Sequence, residues 1–131
     1  MTIKRTVLGG LAGLLLGLCQ PGAAHHGQAG LFDESRTVEL SGTVREWIFV
    51  NPHPVLVISV ADERGATEDW DVYFGPSAVS ALRRRGFSAD TFAIGETVIV
   101  KGHLATAPGA RGIDVWGASS SVSRADGSPI P

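Results

Sequence analysis

The chain has 131 residues, with 13 acidic against 11 basic side chains and a formal net charge of −2. That length carries one domain beside a leader and is too short for two. A net-negative chain lacks the positive surface of sequence-independent nucleic-acid binding, and its single cysteine, Cys19, excludes an intrachain disulfide and a multi-cysteine metal site.

The first element reads as an export signal. Lys4 and Arg5 form a positive n-region, and Val7 to Cys19 is apolar but shorter than the roughly 20 residues of a spanning helix. Pro21 and Gly22 break that stretch, and Ala23-Ala24 offers the small residues of a cleavage site. Cleavage after Ala24 places Gly22 three residues upstream, which suits the peptidase better than Pro21, the residue there if cleavage follows Ala23. A lipobox at Cys19 is disfavoured because Leu18 before it is not small. Residues 1–24 are therefore expected to leave as a signal peptide, taking Cys19, Lys4 and Arg5 with them. The mature chain is expected in the periplasm or secreted, touching a membrane only during export.

Residues 25–36 form a polar, glycine-containing lead-in. From Thr37 to Val50 the pattern alternates, with Val38, Leu40, Val44, Ile48 and Val50 on one parity and Thr37, Glu39, Ser41, Thr43 and Arg45 on the other. Period-two alternation marks a half-buried strand, and Gly42 within its apolar set is where such a strand bends. Trp47 and Phe49 fall on the outward parity. Asn51-Pro52-His53-Pro54 ends the strand, since proline donates nothing to a ladder. Val55 to Ala61 is a second strand, Asp62-Glu63-Arg64-Gly65 a hairpin turn, and Thr67 to Phe74 a third strand with Trp70, Val72 and Phe74 on one face. Gly75-Pro76-Ser77 opens a short helix that Arg83 to Arg85 and Gly86 close. Glu96 to Leu104 is the fourth strand, Ala105 to Gly112 a loop, and Ile113 to Val122 the fifth strand. The chain after Arg124 is expected to fray.

The order β-β-β-α-β-β predicts an all-β fold with one short helix, a five-stranded OB-like Greek-key barrel over residues 37–123 with a flexible tail at 124–131. An open α+β sheet is the competitor. The long first strand with its glycine favours the barrel, because such a strand can curve and pair twice.

Ala24-His25-His26, Leu40-Ser41-Gly42-Thr43-Val44, Trp47 with Asn51-Pro52-His53, Trp70 with Gly75-Pro76-Ser77, Arg85-Gly86-Phe87 and Ile94-Gly95-Glu96 before Val98-Ile99-Val100-Lys101-Gly102 occur in this order. In order and spacing the chain resembles a family of small exported bacterial proteins known only as a domain of unknown function, number 6152. Gly27 stands where the family usually has serine, Phe87 where tryptophan is common, and Pro54 stiffens the turn after His53. The resemblance implies a periplasmic OB-like barrel and carries over no catalytic residue.

No serine stands in a nucleophile elbow, and Lys101 is the only lysine after the leader, so no enzymatic constellation is evident. The chemistry-bearing residues are His25, His26, His53 and His103. His53 lies in the loop between the first two strands and His103 enters the loop between the fourth and fifth. These are the loops that flank the ligand face of such barrels. By parity with Thr97 and Lys101, His103 points outward. Trp47, Phe49, Asn51 and Trp116 are expected to form an aromatic surface near them. Cleavage after Ala24 would free a His25 amine that chelates copper together with its imidazole. Cleavage after Ala23 would place His26 third, where amine, amides and imidazole wrap Cu(II) or Ni(II) in a plane. Such binding needs neutral imidazoles and weakens on acidification.

Three readings follow. One is an exported module holding a transition metal such as copper through His25, His26 and body histidines. The second is an accessory protein docking a periplasmic partner or small ligand on its aromatic face. The third is a copper oxidoreductase, which would additionally need an open coordination position. Against each histidine stands the plain alternative of a polar turn or strand-end residue.

Overall fold

The computed structural model describes residues 30–131. The elements are β1 (Val38–Ile48), β2 (Val55–Ala61), β3 (Thr67–Tyr73), α1 (Val79–Arg84), β4 (Thr97–Leu104), β5 (Gly112–Asp114) and β6 (Ser121–Arg124). β1 pairs with β4 through Val38–Thr43 and with β2 through Thr43–Ile48. That double pairing closes the ring β1-β2-β3-β5-β4. Gly42 sits where the strand changes partner, and a Cβ there would stand 3.0 Å from both Ile58 Cδ1 and the Ser59 carbonyl. The register runs from Ile48 through Val55, Tyr73 and Asp114 to His103, whose neighbour Gly102 faces Val38 at the other end of the 11-residue β1. So large a stagger tilts the strands and leaves an interior that side chains can fill. The expected closed five-stranded barrel with one short helix is present.

Two local departures govern where the site lies. The first is a β-bulge in β1. Val44 pairs with Ile58 but Glu46 with Val57, so Arg45 is the extra residue. A bulge reverses the faces beyond it. Trp47 and Phe49 therefore turn inward instead of outward, and Val50 is left 57% exposed. Trp47 packs edge-on to Phe74 and Phe92, stacks on Phe49, and donates its Nε1–H to the Ser88 carbonyl at 2.8 Å. The aromatic surface expected at Trp47 and Phe49 is thus a wall of the core, each ring pair adding about 0.5–1.5 kcal/mol beyond its area.

The second departure splits the fifth strand. Asp114 faces His103 and Ser121 faces Lys101, so the chain travels from Asp114 to Ser121 while β4 recedes only from His103 to Lys101. Val115 is still held by its N–H on the Tyr73 carbonyl, and residues 116–120 are extruded as a loop, turning at Gly117 (φ 108°), whose carbonyl accepts from Ser120 N–H. β5 and β6 are two pieces of one wall.

Inside the ring lie Val44, Leu56, Ile58, Val72, Val98, Val100 and Ile113, all at or near zero exposure. α1 closes one end with Val79 and Leu82, beside Phe74, Phe87 and Phe92. Residues 125–131, expected to fray, fold back instead. Gly127 N–H bonds the Arg124 carbonyl, Ile130 N–H bonds the Val122 carbonyl, and Ile130 is buried. An apolar residue at 130 has a core edge to cover, and Gly127 (φ 82°) permits the turn that takes it there.

Candidate functional site

The outer wall at the β4–β5 seam carries the chemistry. His103 and Asp114 are directly opposed across an antiparallel pair, the geometry that brings side chains of one face together. His103 keeps the exterior parity expected of it, but it is not solvated: it is 8% exposed. The lead-in covers it. Phe32 bridges to Ala105, Asp33 N–H donates to the Leu104 carbonyl, and Thr106 donates from N–H to Leu31 and from Oγ1 to Gly30. This segment runs antiparallel to the end of β4 and brings the Arg36 carbonyl 3.0 Å from His103 Nδ1. A carbonyl only accepts, so Nδ1 carries the proton and Nε2 presents its lone pair when the ring is neutral. Nε2 has no hydrogen-bond partner among the described residues and is not sealed from solvent.

Asp114 is 7% exposed, and its Oδ1 accepts from Gly75 N–H at 2.8 Å. Burial raises its carboxyl pKa above the usual value, and Glu34 adds to that. The Gly75 and Trp116 N–H groups and His103 pull it down. Gly75 has a second duty. Its φ is +61°, and a Cβ there would lie 2.7 Å from the Trp116 ring, so the indole rests on a bare glycine backbone. Trp116 is carried by the extruded loop and is 48% exposed. His103, Asp114, Glu34, Trp116, Gly117 and Ser119 enclose a cleft of about 420 Å³.

The remaining sequence-derived candidates go elsewhere. His25 and His26 lie outside the described residues. His53 is exposed, just after the cis Asn51–Pro52 bond. The row His103–Asp114–Tyr73–Val55 separates the His53 turn from His103 by three strand spacings, roughly 14 Å at about 4.8 Å each. The body histidines therefore do not converge, and among the described residues no group of three or more His, Cys, Asp or Glu side chains could hold a metal ion. Asn51 is a structural residue: its Oδ1 accepts from Val79 N–H at 3.3 Å, serving a helix whose own N-cap, Ala78, offers no side-chain bond. Among the described residues, His103 and Trp116 line one cleft, while Trp47 and Phe49 stack on each other. Asp114 and Glu34 do not stand out in the sequence, and Gly75 reads there only as part of a helix start. The available signal was an aspartate inside the apolar run Ile113-Asp114-Val115-Trp116.

A second groove of about 440 Å³ lies between the lead-in and the β4–β5 loop, walled by Leu31, Phe32, Tyr73 and Arg111. Tyr73 donates to Asp71 Oδ2 at 3.2 Å, and burial, then the Asp71 charge, raises the phenol pKa above 10. Arg111 is paired with Glu68.

The model of one family of unknown function, DUF6152, matches residues 13–114. The chain belongs to that family. The DUF6152 match includes Glu34, Gly75, His103 and Asp114 and ends before Trp116. No curated protein and no solved structure matches the chain.

Proposed function

We propose that this DUF6152 protein is an exported, periplasmic binding module without catalytic activity, which holds a transition-metal ion, copper foremost, at the His103–Asp114 cleft. The observation that carries the reading is the fixed imidazole: His103 Nδ1 is committed to the Arg36 carbonyl, and Nε2 is free beside a buried carboxylate. Anchoring one ring nitrogen on a carbonyl is how ligating histidines are oriented. Imidazole with carboxylate is too small a donor set by itself. The lead-in that covers His103 is the continuation of the segment bearing His25 and His26, whose imidazoles and freed amine would supply the further nitrogens favoured by Cu(II). Export rests on the leader in residues 1–24. Trp47 and Phe49, which carry the docking alternative, are partly buried against the core, which weighs against that reading.

The test is Cu(II) titration of the exported, processed protein against a competing chelator, with EPR of the bound ion. His103→Ala and His25→Ala are expected to weaken binding by about 10-fold or more, and His53→Ala to leave it unchanged. Wild-type affinity in His103→Ala overturns the reading. Wild-type affinity in His25→Ala removes the N-terminal residues from it.

A further inference from the structure

Trp116 lines two clefts. One is the His103 cleft. The other, of about 360 Å³, is lined by Arg85, Val115, Trp116, Gly117 and Ser120. Through Arg85, Val115 and Ser120 this space continues into a recess of about 180 Å³ floored by Phe87 and Ile130. The guanidinium of Arg85 stands 5.5 Å over the Phe87 ring, which holds it at the junction of the two spaces. Like Arg45, Arg64, Arg83 and Arg84, Arg85 has no carboxylate partner among the described residues, and it is the one of them that lines these two spaces. At Gly117 an added Cβ would meet nothing within 4 Å, so the wall there is open to an incoming group.

An unpaired guanidinium that shares a cleft with an indole has a definite chemistry. The planar fork of arginine donates two parallel N–H bonds to a carboxylate, and the indole takes a flat group by stacking. We infer that the Arg85–Trp116 cleft is a binding site for a small planar organic carboxylate, distinct from the His103 cleft and independent of any metal. The carboxylate meets Arg85, the flat body of the ligand lies on Trp116, and the Ser120 hydroxyl edges the cleft. Ser120 is itself positioned by donating to the Trp116 carbonyl at 3.2 Å.

The experiment is a titration of metal-free, ¹⁵N-labelled protein with benzoate and, separately, with inorganic phosphate, following the three indole N–H resonances. Benzoate is expected to move the Trp116 signal saturably. Arg85→Gln should weaken it about 10-fold or more, while Arg84→Gln, which removes the same charge next door, should leave it intact. Equal loss in both variants would reduce the effect to general electrostatics and overturn the site, as would no saturable shift in wild type. Phosphate binding as tightly as benzoate would overturn the planar-carboxylate assignment. The spectrum of Arg85→Gln itself reports whether the barrel is intact.

Discussion

Gly75→Ala separates two physical effects that coincide at one atom. The residue sits at φ +61°, where alanine costs about 1–2 kcal/mol. Its new methyl would also stand 2.7 Å from the Trp116 ring. Because the indole is on an extruded loop and half exposed, it can swing away, so the clash becomes lost burial rather than overpacking of the core. Roughly half of a large aromatic surface, about 100 Å², at about 25 cal/mol per Å², adds some 2–3 kcal/mol as an upper bound. Gly75→Ala is therefore expected to cost about 3–5 kcal/mol in urea unfolding and to shift the Trp116 indole resonance. In a Trp116→Ala background the same change should cost only the backbone part, about 1–2 kcal/mol. A cycle with no coupling between the two positions would refute the contact on which both clefts depend.

Two other outcomes follow from buried groups. Asp114→Asn keeps an oxygen for Gly75 N–H and removes a charge that burial disfavours. The raised pKa means that the folded state holds the proton more tightly than the unfolded one, so Asp114 weakens the fold as pH rises. Metal-free Asp114→Asn should thus melt higher than wild type at pH 7, with the gap narrowing on acidification; a lower melting temperature at pH 7 would contradict the assignment. Tyr73 is the only tyrosine, so absorbance at alkaline pH titrates one group. Its midpoint should lie above 10 and fall in Asp71→Asn, and the stability it contributes is lost as pH rises through that midpoint.

The barrel was legible because alternation, turn residues and one bending glycine agree with one another. The site was not, for two physical reasons. In Val44-Arg45-Glu46-Trp47 two consecutive polar residues mark the bulge, yet Ile48 and Val50 prolong the earlier parity, so both faces look apolar and the reversal is hidden. Asp114 on an outward parity reads as solvated. Its burial comes from the lead-in, which also covers His103, and from the 116–120 loop, and neither segment's position follows from local periodicity. His103 was found as a residue type but with the wrong surroundings, for the same reason.

The interrupted wall between Asp114 and Ser121 has a consequence for evolution and for engineering. β4 already has its partners on either side of the gap, with His103 and Leu104 held by β5 and Val98 to Lys101 by β6. Val115 N–H still bonds the Tyr73 carbonyl, but the segment from Trp116 to Ser120 contributes no rung to the ladder. Its length and residues can therefore be exchanged while the barrel stays shut, much as recognition loops vary on an invariant frame. Grafting a different sequence at Ala118–Ser119 would retune what the two clefts accept without touching what holds the molecule together.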